Sequence, residues 1–245
     1  MPTDGLHLSW RAFHLPKRGN AAEEYEDAFA ADSGTGRFAV ADGASESSFA
    51  ASWARLLVEG FVTGEGKPWR DLDWLAGPRQ RWAAEVDTLS LPWYAEIKRE
   101  QGAFATLVGI VFRPPRPKRP GTWRALAVGD SCLFRTRRGR LLKAFPLTAS
   151  AGFGNQPRLL GSRPAPGPAP EQARGRWRRG DRFLLMTDAL AQWFLFRTEQ
   201  GGEPQAEVAR LLAEPDPQAA FPDWIEQRRQ HDLRNDDVTL GIIDL

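Results

Sequence analysis

The chain has one cysteine, Cys132, and three histidines among 245 residues. A single thiol excludes an intramolecular disulfide and a cysteine-based zinc site. It predicts a reducing, intracellular setting. Charge of one sign is also lacking: the formal net charge is +2. That balance gives no argument for nucleic acid or an acidic membrane as partner. No long apolar run is present. "AFATLVGIVF" reaches about half of the roughly 20 residues that a membrane helix needs. "MPTDGLHLSW" lacks the basic and apolar regions of a secretory leader. No internal repeat or domain linker is visible, so the expectation is one domain, residues 1–245, in the cytoplasm. Apolar material is ample, with ten Trp and fourteen Phe available for a core.

Hydrophobic spacing sketches the elements. Glu26–Asp32 and Arg37–Asp42 read as a hairpin around "SGTG". Phe49, Trp53, Leu56, Leu57 and Phe61 then fall on one helical face, with Ser45 or Ser47 as the expected cap. Trp82, Val86 and Leu89 space a second helix, Trp93 and Ile97 a third, and Pro92 breaks between them. "AFATLVGIVF", "TWRALAVGD", "CLFRT" and "RLLKAF" read as strands. "RPPRPKRPG" reads as a solvated loop, and residues 146–170 as a long one. "DRFLLMTDALAQWFLF" repeats the plan of strand, acid and helix. Helices around 207–213 and 222–230 precede a last strand, "DVTLGIIDL". Strands and helices in runs predict α+β. "RGRWRRGD" reads as a charged strand edge that discourages aggregation. Gly152, Gly154 and Gly161 lack phosphate-loop spacing.

Five carboxylates, at four strand margins, share one context. Asp42, Asp130 and Asp188 each end an apolar strand, and Asp236 and Asp237 open one. Taken singly, each is an ordinary turn or cap residue. Gathered in one place, ionised carboxylates need cations. Oxygen ligands with no cysteine and few histidines select Mg²⁺ or Mn²⁺ over Zn²⁺ or Cu²⁺.

The ordered series "YEDAFA", "VADGAS", "GAFATLVGIVF", "AVGDSCLF", "LLMTDAL" and "NDDVTL" resembles the metal-dependent PP2C (PPM) protein phosphatases, in a divergent bacterial form. The resemblance runs from about residue 26 to 240. It implies a four-layer α-β-β-α sandwich, two antiparallel sheets flanked by helices. It implies hydrolysis of protein phosphoserine or phosphothreonine by water held between two Mn²⁺ or Mg²⁺ ions, with a third ion in some members. By the same resemblance Asp42 bridges the ions and the Gly43 carbonyl is a further ligand. Asp188 and Asp236 complete the set. Asp27, beside Glu26, holds metal-bound waters. Asp130 serves a third ion, and Asp237 is an alternative ligand to Asp236. Asp42, Asp188 and Asp236 are the expected catalytic residues.

Two positions depart from the family pattern. Ala22 stands where a basic residue often grips phosphate, and Ala44 where many eukaryotic members carry a histidine. Lys17, Arg18 or His14 are nearby substitutes for the first. His14 and His231 are not obviously placed for the second. Ala189 replaces a usual Gly beside Asp188. The expected partner is a phosphorylated protein, with no nucleic acid and no membrane. The alternative is a PP2C-like binding module without useful turnover.

Overall fold

The computed structural model describes residues 8–45, 49–64, 72–89, 93–117, 119–154, 156–165 and 167–245. In chain order the elements are β1 (Ser9–Leu15), β2 (Asp27–Asp32), β3 (Arg37–Asp42), α1 (Ala50–Thr63), α2 (Ala76–Val86) and α3 (Trp93–Gln101). Next come β4 (Phe104–Ala105), β5 (Leu107–Arg113), β6 (Thr122–Val128), β7 (Cys132–Arg137), β8 (Arg140–Phe145), β9 (Leu160–Gly161) and β10 (Glu171–Arg176). The chain closes with β11 (Asp181–Met186), α4 (Asp188–Glu199), α5 (Pro204–Leu212), α6 (Pro217–Arg229) and β12 (Val238–Asp244).

The strands form two five-stranded antiparallel sheets, ordered β1-β12-β11-β7-β8 and β10-β6-β5-β3-β2. A two-stranded ribbon pairs β4 with β9. Strand alternation sends one face of each sheet to the other sheet and one face to helices. Phe38, Val40, Ile110 and Phe112 from one sheet meet Phe183, Leu185 and Ile243 from the other. Ala39 and Ala41 point the opposite way, and their small size lets α1 lie close with Trp53, Leu57 and Phe61. On the far side α4, α5 and α6 cover Phe134, Leu184, Met186 and Ile242. The result is the expected α-β-β-α sandwich. Helix α4 is apolar on most of its circumference because it lies beneath α5 and α6 as well as on the sheet. Phe29 of one sheet crosses onto Gly241 of the other. A Cβ there would sit 2.3 Å from the ring, so only glycine fits.

Several elements differ from the sequence expectation. "AFATLVGIVF" breaks at Thr106, whose amide turns to the Asp42 carbonyl (2.9 Å), so its first part becomes the separate ribbon strand β4. Helix α1 does not use Ser45 as its cap. Phe49 occupies the cap position in the left-handed region (φ 67°) without a side-chain cap bond. The Ser45 hydroxyl bonds Glu26 instead; Ser47 and Pro92 lie outside the described residues. Leu89 falls beyond α2, and both it and Ile97 are exposed. Helix α6 starts at Pro217, where Asp216 accepts the amides of Gln218 and Ala219 (3.1 Å each), and Pro222 lies within it. Strands β1 and β10 carry too little apolar alternation to be read as strands. As expected of "RGRWRRGD", β10 is a charged edge, with Arg174 and Arg176 exposed. The same stretch holds Asp181, fully enclosed by Arg135 (2.7 Å), Arg137 and the amide of Arg178 (3.0 Å). Burial opposes its ionisation, but these three partners outweigh burial and hold its pKa below the usual range.

Candidate active site

The acids gather at one end of the sandwich, where strands of both sheets finish. Asp27 and Asp42 are cross-strand partners on β2 and β3. Asp188 begins α4 directly after β11, and Asp236 and Asp237 lead into β12. Asp130 lies in the turn between β6 and β7. One sheet thus supplies Asp27 and Asp42, and the other Asp188 and Asp236.

These carboxylates oppose one another's ionisation. Burial first, then Asp27, Asp188, Asp130 and Asp236, raise the pKa of Asp42 well above the usual range. Burial likewise leads the upward shift of Asp27. At Asp188 burial is again the largest cause and prevails over the opposing Arg234. Asp130 is pushed up to about 7 by burial and by Asp188. Such a set is stable only when protonated or neutralised by cations.

The backbone around Asp42 is tightly laced. Gly43 N donates to Glu26 O (3.2 Å) and Ala44 N to Phe104 O (2.9 Å). Glu26's own amide goes to Asp237 Oδ2 (2.8 Å) rather than to the Gly43 carbonyl it faces. The ladder therefore does not use that carbonyl. Position 43 must be glycine for a steric reason: a Cβ would lie 2.8 Å from Glu26 O and 3.0 Å from Ala50. The other oxygen of Asp237 accepts Lys17 N (2.7 Å). Asp237 thus spends both oxygens on amides, anchoring the segment that precedes β2.

Asp27 Oδ2 accepts the Thr239 hydroxyl (2.7 Å), which itself accepts from Tyr25. Its other oxygen, Oδ1, is buried without a hydrogen-bond partner, and so is Asp130 Oδ1. Asp188 Oδ1 takes the Ala189 amide and Oδ2 takes Arg234 Nη2. The same Nη2 lies 3.1 Å from Asp236 Oδ2. Among the described residues, no three His, Cys, Asp or Glu side chains converge as they stand on a common ligating point. Their donor chemistry nevertheless fits a hard divalent cation: all oxygen, mutually repelling, with two orphaned buried carboxylate oxygens.

A family model described as Protein phosphatase 2C matches residues 20–226. This chain belongs to the protein phosphatase 2C family. The matched span holds Asp27, Asp42, Asp130 and Asp188 and ends before Asp236. Solved structures similar to this PP2C chain include the Mycobacterium tuberculosis serine/threonine phosphatase PstP/Ppp, at 19% identity and TM-score 0.62, covering 97% of this chain and 98% of that one. The PstP catalytic domain in complex with two manganese ions is 20% identical, with TM-score 0.61 and 97% of each chain covered. The Mycobacterium smegmatis phosphatase MsPP, in complex with cacodylate, is 22% identical, with TM-score 0.58, 99% of this chain and 100% of that one covered. At these identities the likeness is one of fold. No curated protein sequence matches. No helix among the described residues is long and apolar enough to cross a membrane.

The departures from the PP2C pattern are visible in the geometry. Ala22 sits in an exposed turn. Arg18 is turned to Glu226 (Nε to Oε2 2.8 Å), and His14 packs on Tyr25 with ring centroids 5.2 Å apart. Sequence reasoning missed Arg234, the cation that contacts the acids. Its only signal was a position two residues before Asp236. With His231 and Trp193 it also lines a surface cavity of about 450 Å³.

The raised pKa of Asp130 gives a pH prediction with a definite sign. Its folded value, about 7, lies above the ordinary carboxylate value of 3.8. Between those limits the folded chain holds a proton that the unfolded chain has released, so stability falls as pH rises. In chelator, melting temperature is expected to drop from pH 5 to pH 8. Asp130→Asn should flatten that drop and stabilise the protein at pH 8 by on the order of 2 kcal/mol. Thermal melts of both proteins at the two pH values check this; parallel curves would refute it.

Proposed function

We propose that this protein removes phosphate from phosphoserine or phosphothreonine in proteins, as a Mn²⁺- or Mg²⁺-dependent phosphomonoesterase. The observation that carries the reading is the buried acid cluster drawn from both sheets, with oxygen as its only donor. Asp42, the Gly43 carbonyl, Asp188 and Asp236 would hold two ions, and Asp130 would serve a third. Two such ions supply a water of lowered pKa and neutralise charge on the phosphoryl oxygens.

The chain's own residues set up the rest. Asp27 keeps Oδ1 without a partner while Thr239 fixes Oδ2, so it can accept a hydrogen bond from a water. Tyr25, whose pKa burial and Asp27 raise, keeps its proton and holds Thr239 in the donating orientation. Asp237 keeps the Glu26 amide away from the Gly43 carbonyl. Carboxylates left without cations would repel a phosphate dianion, so ion loading precedes substrate binding in this reading.

Incubation with a phosphothreonine peptide in Mn²⁺, and again in EDTA, tests it. Phosphate release is expected in Mn²⁺ only. Absence of Mn²⁺-dependent release would defeat the enzyme reading. Ala22 and Ala44 favour a second reading, a module that binds phosphoproteins without turnover. Saturable binding of the peptide with no release would select that one.

A further inference from the structure

We propose that Arg234 is a built-in competitor for the divalent cations of this site. The inference rests on the metal-dependent reading above. Arg234 Nη2 contacts Asp188 Oδ2 and lies 3.1 Å from Asp236 Oδ2. Those are two of the three carboxylates expected to hold the ions. A guanidinium on these oxygens occupies lone pairs that an ion would use and repels an arriving divalent cation. Arg234 therefore opposes loading of the site until its side chain is displaced.

The surrounding contacts allow that displacement. The segment that follows is clamped. Asn235 Oδ1 accepts the Arg18 amide (2.8 Å), Asn235 Nδ2 donates to Arg18 O (3.2 Å), and buried Arg229 donates to Asp236 O (2.6 Å). The Arg234 side chain is 41% exposed, so it can swing outward while the loop stays fixed. The cavity it lines with His231 and Trp193 offers the room. Arg234 thus serves as counter-ion to the acids at low metal and as a threshold against loading by weakly held cations.

The test is calorimetric titration of Mn²⁺ into the full chain, previously stripped with chelator. Wild type is compared with Arg234→Gln, Arg234→Lys and Arg138→Gln. Arg138 lies in the β7–β8 turn at the opposite end of the sandwich, and its loss controls for overall charge. Arg234→Gln is expected to bind Mn²⁺ about tenfold more tightly than wild type, the size of an ordinary coupling between two ligands. Arg234→Lys should fall between them, and Arg138→Gln should match wild type. In chelator Arg234→Gln should melt below wild type, and Mn²⁺ should raise its melting temperature by more. Equal or weaker Mn²⁺ affinity in Arg234→Gln would overturn the proposal. Mn²⁺ binding by none of the four proteins would defeat the metal reading itself, and this inference with it.

Discussion

Asp42→Asn is expected to lower Mn²⁺-dependent phosphate release by at least ~100-fold, the scale on which a preorganised electrostatic group acts. The same variant should remain folded and, in chelator at pH 8, melt above wild type. Both effects come from one carboxylate. Asp42 lies at the end of β3, paired with Asp27 and within the fields of Asp188, Asp130 and Asp236. Removing its charge relieves repulsion that the fold otherwise has to bear. In the proposed reading it also removes a carboxylate that would help to hold the ions. Asparagine keeps the shape, and the Asp42 backbone carbonyl still accepts from Thr106 N. A folding defect is therefore not the expected cause of lost activity. Turnover that keeps its Mn²⁺ dependence in Asp42→Asn would sink the assignment. A variant less stable than wild type in chelator would sink the electrostatic argument alone.

The largest loss of stability is expected at Trp53. Its side chain is fully buried on α1, and its indole N–H donates to Leu160 O (2.7 Å). Leu160 belongs to β9, which pairs with β4. Phe104 of β4 accepts the Ala44 amide, and Thr106 beyond it holds the Asp42 carbonyl. Trp53 therefore pins the ribbon on which Asp42, Gly43 and Ala44 rest. Trp53→Ala should cost about 3–5 kcal/mol, the range for deleting a buried aromatic. Trp53→Phe keeps most of the volume but strands the Leu160 carbonyl, and should cost about 1–3 kcal/mol. Urea unfolding measures both. Similar losses in the two variants would show that the hydrogen bond, not the packing, dominates.

The parts of this fold legible in the sequence are those whose burial follows a period. β3 into α1 shows it: an apolar strand, an acid, then helical spacing; β11 into α4 repeats the strand and the acid but continues as an apolar run. β10 pairs with β6 through backbone bonds while its charged side chains face solvent, so no apolar pattern marks it. β1 is also an edge strand, with Phe13 its one fully buried side chain. The break at Thr106 is set by a distant partner, the Asp42 carbonyl, which no local pattern encodes. The acids of the site were readable because six short motifs occur in order. Arg234 and Asp181 were not, since a charge in a polar loop has the same local signature whether it is solvated or paired in the fold.

The division of the acids between the sheets has a mechanical consequence. Among the described residues no backbone ladder joins the two layers; side-chain packing such as that of Phe29 on Gly241 holds them face to face. Sliding one layer past the other by a single residue moves Asp188 relative to Asp42 by about 3.3 Å. Ligand distances tolerate only about 0.2 Å. In the proposed reading the acid cluster would work as an alignment gauge: an ion held by both layers would act as a rivet, fitting only when they are seated to within a fraction of one residue's rise.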